Sequence, residues 1–183
     1  MKPIFIIGYM ASGKSTLGRA LADRFGIDFV DLDEWIESDA GMTVSGIFAA
    51  EGEEGFRRRE REALMTLATG AAENRVGRVI ACGGGTPCFG DNMEVMNACG
   101  LTVWLKPSRE RLMNRLREGR STRPLIASLS DDELEAFADT QLGLRASSYG
   151  RATETFDSSM LENEAEIEAT SQRFYNRFLS RSL

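Results

Sequence analysis

The run Gly8-Tyr9-Met10-Ala11-Ser12-Gly13-Lys14-Ser15, directly after the apolar Ile4-Phe5-Ile6-Ile7, leaves this chain few ways to fold. It fits Gly, four residues, Gly-Lys-Ser, the pattern of a loop that wraps phosphate between a strand and a helix. Backbone N–H groups must close around phosphate oxygens without side chains in the way, and Gly13 allows that approach where the helix begins. Lys14 brings a point charge to the outer phosphates, and Ser15 offers its hydroxyl to magnesium. The following segment, Thr16 to Phe25, has apolar residues at 17, 20, 21 and 25, a helical spacing. Strand, loop and helix in this order predict a nucleoside triphosphate site on Gly8, Ala11, Ser12, Gly13, Lys14, Ser15 and Thr16.

The rest of the chain reads as an α/β domain with insertions around that loop. Gly26 to Asp33 alternates apolar and polar residues and predicts a second strand ending in Asp31 and Asp33, at the sheet edge where ligands bind. In a continuing strand both carboxylates face one side, one suited to a metal and one to a hydroxyl nucleophile. Alternatively, one of them caps a helix starting near Glu34. Residues 34–72 are helical in pattern, with breaks expected at Gly41, Gly46, Gly52 and Gly55. A short helix from Thr43 to Ala50, capped by Thr43, precedes a longer one from Glu53 through Leu67. Its charge run reads as a solvated face with i, i+4 pairs such as Arg58 and Glu62. Arg57, beside Phe56, is the one arginine of the run expected to reach a site.

Val76 to Cys82 predicts a third strand, which runs into Gly83-Gly84-Gly85: bare backbone for a ligand, or a flexible turn before Pro87. Leu101 to Leu105 is a fourth strand with Trp104 in the core, and Ser108 caps a helix to Glu118. The basic stretch Arg115 to Leu125 has little apolar pattern and reads as a mobile lid or an exposed basic loop. A helix over Asp131 to Tyr149 and a strand over Ala152 to Asp157 follow. The closing helix, Glu164 to Leu179, carries a core stripe of Ile167, Phe174 and Phe178.

Composition narrows the chemistry. At 183 residues the chain suits one core. A net charge of -6 argues against nucleic-acid binding, and anionic ligands must be held by local clusters of arginine, since lysine occurs only at Lys2, Lys14 and Lys106. No apolar run approaches a membrane span, no signal peptide is expected, and a cytoplasmic protein follows as the expectation. Cys82, Cys88 and Cys99 are odd in number and lack metal-ligand spacing, which suits reduced thiols. Histidine is absent, so histidine triads and histidine metal sites are excluded, while phosphoryl transfer with a carboxylate base is not.

Taken in order, the phosphate loop, Asp31-Leu32-Asp33, Phe56-Arg57-Arg58, Gly83-Gly84-Gly85, Arg123-Pro124-Leu125 and Arg145 followed by Tyr149 resemble shikimate kinase over nearly the whole chain. The resemblance implies a P-loop nucleoside-monophosphate-kinase-like three-layer fold, a five-stranded parallel sheet flanked by helices. It implies one domain over 1–183, with a substrate-binding insertion at about 33–62 and a lid at about 115–127. The implied activity is phosphorylation of a shikimate hydroxyl by ATP, giving shikimate 3-phosphate and ADP, with Mg2+ as cofactor and a monomer expected. Carried over by position, Asp33 holds and deprotonates the attacking hydroxyl, and Arg57 and Arg145 grip the shikimate carboxylate. Gly84 and Gly85 pack against the ring, Asp31 and Ser15 organise magnesium, Lys14 meets the outer phosphates, and Arg123 brings charge to the transferring group.

Two departures stand out: Ser147 replaces the proline usual two residues after Arg145, and Ala11-Ser12 replaces a glycine-containing pair. Arg115 and Arg117 are both candidates for the adenine contact. A gluconate-kinase-like enzyme fits the triple glycine and Phe56-Arg57 poorly. A nucleotide-binding switch leaves the acceptor residues unexplained and lacks an Asn-Lys-x-Asp motif.

Overall fold

The first strand, β1 (Ile4–Ile7), explains the layering: Ile4 and Ile6 join one buried cluster while Phe5 and Ile7 join another. Apolar side chains on both faces require cover on both faces, as a parallel sheet does. The structure, a computed structural model, describes residues 2–70 and 77–180. Strands β2 (Asp28–Asp31), β3 (Arg78–Ala81), β4 (Leu101–Leu105) and β5 (Glu154–Phe156) complete a sheet of order β2-β3-β1-β4-β5. Every neighbouring pair is parallel.

Helices α1 (Lys14–Phe25) and α7 (Glu164–Phe178) cover one face, burying Leu17, Leu21 and Phe174 with Ile4 and Ile6. The other face is covered by α3 (Val44–Thr69), α4 (Asn92–Cys99), α5 (Arg109–Glu118) and α6 (Asp131–Tyr149), which contribute Leu64, Met93, Leu112 and Leu134. From β1 the chain moves towards β3 and β2 on one side and towards β4 on the other. Ligands bind at such a switch point, beyond the C-terminal strand ends. The phosphate loop, Asp31 and the triple glycine all leave the sheet there.

The second strand is shorter than its alternation predicts. It stops at Asp31, whose side chain accepts from the Asp33 N–H at 3.1 Å and caps helix α2 (Leu32–Ala40). A short acidic side chain satisfies an amide that the first helical turn leaves without a partner, and that bond turns the chain. Asp33 therefore sits on the first turn of a helix, not two strand positions beyond Asp31.

Of the expected glycine breaks, Gly41 ends α2 and Gly52 kinks α3, while Gly46 and Gly55 stay helical. Thr43 caps α3 by accepting from Gly46 N–H, and Ser108 caps α5 by accepting from Arg111 N–H, as predicted. The last strand is also trimmed, to Glu154–Phe156. Val76 of the expected third strand, and Ala71 and Ala72 of the preceding helix, lie outside the described residues. Helix α4 buries one face through Met93 and Met96. Phe174 is fully buried, with Ile167 and Phe178 packed against its cluster. Trp104 is only half-buried, its ring tilted against that of Tyr149 at 5.7 Å.

Candidate active site

The loop between β1 and α1 excludes side chains where the pattern has glycine. A Cβ at Gly13, which opens α1 at φ 95, would lie 2.4 Å from Leu161 Cδ1. One at Gly8 would lie 2.7 Å from the Leu105 carbonyl oxygen. Ala11 takes the small left-handed region at φ 63, the one non-glycine residue among those described to do so. That conformation is allowed but costs alanine roughly 1–2 kcal/mol. The loop is braced from outside, because Ser158 Oγ donates to the Ser12 carbonyl at 2.8 Å. Lys14 Nζ donates to the carbonyls of Gly8 at 2.9 Å and Tyr9 at 3.0 Å. Burial pulls the Lys14 ammonium down to about 8, with Asp33 and Asp31 holding it up.

Ser15 Oγ donates to Asp31 Oδ2 at 2.6 Å, so the capping carboxylate also meets the loop hydroxyl. The capping reading of Asp31 thus holds, and the same side chain reaches the loop hydroxyl. Among the described residues no group of three or more metal-binding side chains gathers. A hydroxyl and one carboxylate suit magnesium, which takes one or two protein oxygens and completes its shell with phosphate and water.

Next to this pair is a cluster organised on the triple glycine. A Cβ at Gly83 would stand 3.0 Å from Asp33 Oδ1 and 3.1 Å from both Glu60 Oε1 and Thr86 Oγ1. At Gly84 it would stand 3.2 Å from Arg145 Nη1, and at Gly85 2.9 Å from Arg57 Nη2. Three consecutive backbone positions thus face a carboxylate and two guanidiniums, and any side chain there would displace them. Burial, then the charges of Asp31 and Glu60, push the Asp33 carboxyl up to about 6, with Lys14 opposing.

Arg57 is fixed from two sides: Nη1 donates to Glu60 at 2.9 Å, and the guanidinium lies 3.8 Å from the centre of the Phe89 ring. Glu60 is 1% exposed and also accepts from Thr86 Oγ1 at 2.6 Å. The expectation that this charge run is a solvated face therefore fails at Glu60. The signal was present, since Phe56, Glu60, Ala63, Leu64 and Leu67 share the buried helical stripe. A glutamate on that stripe needs a buried partner, and Arg57 and Thr86 supply it.

Arg145 projects from α6, which continues helically through Ser147 to Tyr149, so the missing proline leaves its backbone regular. Its Nη2 donates to Gln141 at 2.9 Å, the guanidinium stands 5.4 Å over the Tyr9 ring, and no carboxylate among the described residues comes within ion-pair reach. One turn on, Tyr149 OH donates to the Gly84 carbonyl at 2.7 Å. Burial pushes that phenol up to about 12, which keeps it a donor.

Across the phosphate loop a cavity of about 500 Å³ is lined by Lys14, Ser15 and Thr16 on one side and by Arg115, Gly119 and Arg123 on the other. Arg123, on the basic stretch, packs its guanidinium over Gly119 and leaves Nη1 without a partner. Arg115 lines the cavity and donates to the carbonyls of Ser158 and Ser159. Arg117 instead pairs with Glu135. Of the two adenine candidates, only Arg115 faces this cavity.

A family model described as Shikimate kinase matches residues 10–176. A shikimate kinase of Parabacteroides distasonis is 44% identical over 167 residues, 91% of this chain and 94% of its own length. The 1.7 Å crystal structure of the Bacteroides thetaiotaomicron shikimate kinase superposes with a TM-score of 0.88 at 40% identity, covering 96% of this chain and 97% of that one. A shikimate kinase from Acinetobacter baumannii, solved in complex with shikimate, gives a TM-score of 0.79 at 31% identity, covering 100% and 96%.

Proposed function

The chain belongs to the shikimate kinase family and has its P-loop, nucleoside-monophosphate-kinase-like fold, and from this we propose that it transfers the terminal phosphoryl group of ATP to a ring hydroxyl of shikimate. The products are shikimate 3-phosphate and ADP. The observation that carries the reading is the glycine run with Asp33, Arg145 and Arg57 on three successive positions, beside a phosphate loop. It offers one carboxylate for a hydroxyl and two cations for a carboxylate.

In this reading the shikimate carboxylate lies between Arg57 and Arg145, whose planar forks favour paired contacts with carboxylate oxygens. The ring rests on Gly84 and Gly85. Asp33 accepts the proton of the hydroxyl as its oxygen bonds to the terminal phosphorus and the bond from that phosphorus to the leaving ADP oxygen breaks. A carboxyl at about 6 is ionised at neutral pH yet basic enough for that task. Lys14 gives up its loop carbonyls for the outer phosphates, and Arg123 brings its guanidinium, whose Nη1 has no partner, to the same charge. Gly8, Ala11, Ser12, Gly13, Ser15 and Thr16 cradle the phosphate chain. Mg2+, held by Ser15 and Asp31, supplies further charge neutralisation when bound.

Residues from about 33 to 62 form the acceptor-binding region, and about 115 to 127 a lid that excludes water on closing. The enzyme acts as a cytoplasmic monomer. No helix among the described residues is long and apolar enough to cross a membrane. A coupled ADP-release assay with ATP and Mg2+ tests the function, using shikimate, gluconate and nucleoside monophosphates as acceptors. The expected outcome is turnover with shikimate alone; turnover with another acceptor and none with shikimate overturns it.

A further inference from the structure

A second cavity, of about 370 Å³, opens where the end of β4 and the start of α5 meet the middle of α6. Its volume lies in the range of small-molecule sites. None of Lys14, Asp33, Arg57, Arg123 and Arg145 lines it. The walls are largely apolar, with Trp104, Leu112, Leu142 and Ala146 facing Tyr9 of the phosphate loop.

Two features make this more than a packing defect. The first is charge. At the mouth, Arg109 is neutralised by Asp139 at 2.9 Å and by Glu135 at 3.3 Å. Lys106 is exposed, has no carboxylate in ion-pair reach among the described residues, and holds its ammonium 4.8 Å from the centre of the Trp104 ring. A chain with a net charge of -6 thus keeps an unpaired cation beside an apolar opening. The second is Gly143, which lines the cavity from inside α6 and would meet nothing within 4 Å if it carried a Cβ. Glycine weakens a helix interior relative to alanine, and no contact here demands it. A side chain built there has open space around it.

We propose that this cavity is a second binding site, for a small monoanion with a flat apolar body. The body lies against Trp104 and Leu142, and the anionic group meets the Lys106 ammonium at the mouth. The occupant touches Gly143 and Ala146 on either side of Arg145 in sequence, and also Tyr9 beneath its guanidinium. The site does not depend on which acceptor the enzyme uses.

Isothermal titration of the full chain with 2-naphthoate, and with the neutral 2-naphthamide, tests this. The expected result is saturable 1:1 binding of the anion with a Kd of about 1 mM, given the affinity per atom usual for ligands of this size. Lys106→Met weakens the anion roughly 5-fold, the upper end for an exposed ion pair, and leaves the amide unchanged. Gly143→Leu fills the space and abolishes binding, while its kinase rate shows that it is folded; Gly143→Ala, a smaller filling, weakens binding in part. Saturating ADP and shikimate leave 2-naphthoate bound. The proposal is overturned by no saturable binding up to about ten times the expected Kd, by binding that survives Gly143→Leu, by displacement with ADP or shikimate, or by equal affinity for anion and amide. Absence of shikimate phosphorylation would instead refute the proposed function and leave this titration unaffected.

Discussion

Asp33→Asn should make the protein at once inactive and more stable, and the size of the second effect depends on pH in a way that can be calculated. Burial and the charges of Asp31 and Glu60 raise the carboxyl from an ordinary 3.8 to about 6 in the folded chain. At about 1.4 kcal/mol per tenfold in proton affinity, the ionised group costs the fold up to roughly 3 kcal/mol. The sign follows from proton counting. Between the two values the folded chain binds more protons than the unfolded one, so wild-type stability falls as pH rises through this window and the loss is complete above about pH 7. The asparagine variant lacks this titration. From pH 5 to pH 8 the wild type should lose about 1.4 kcal/mol relative to the variant. Urea unfolding of the unliganded proteins at several pH values measures the difference, and comparing slopes removes effects of the amide that do not titrate. Turnover should fall by roughly 10²-fold or more. Parallel stability profiles would refute the buried, charge-crowded carboxylate, and near-normal turnover would refute its role.

Arg57→Ala should raise the KM for shikimate at least roughly tenfold through loss of a charge-assisted contact, and should lower thermal stability by leaving Glu60 buried without its cation. An unchanged KM counts against the clamp. Gly85→Ala presses first on the Arg57 guanidinium, so unfolding should shift by about 1 kcal/mol while the shikimate KM rises; equal KM values would show that the guanidinium works elsewhere. Tyr149→Phe removes the donor to Gly84 and should raise the shikimate KM about 5-fold with the ATP KM unchanged, whereas a matching rise for ATP would place its effect in the loop. Ala11→Gly relieves left-handed strain of roughly 1–2 kcal/mol against an entropic cost of about 0.4–1, for a Tm gain of about 2 °C. A lower Tm would show that the strain is small.

The fold was legible where local chemistry decides it. The loop pattern, the apolar runs and the caps at Thr43 and Ser108 all depend on near neighbours in sequence. Asp31 was harder, because strand alternation and helix capping compete for the same residue, and the choice falls to a bond with the Asp33 amide. Glu60 was misread for a similar reason: in a run of alternating charges its stripe position was outweighed by its neighbours' polarity. What places it in the core is Thr86, twenty-six residues away, a partner that no local pattern reveals. The charge run itself singled out Arg57 and the resemblance added Arg145, yet what aims them, Phe89 and Glu60 for one and Gln141 for the other, became visible only with the chain folded.

The two hydrogen bonds from Lys14 to the loop carbonyls carry a consequence for selectivity. The ammonium is already partnered there, so contact with a phosphate chain is for it an exchange and not a simple gain. The ammonium must leave two neutral oxygens, and only the excess attraction of the incoming ones counts. A triphosphate, with several anionic oxygens along the loop, should draw the lysine away most readily. A lone inorganic anion offers fewer. The carbonyl-bound lysine should thus favour long, highly charged phosphate chains over small anions, which competition by pyrophosphate and by sulfate would compare.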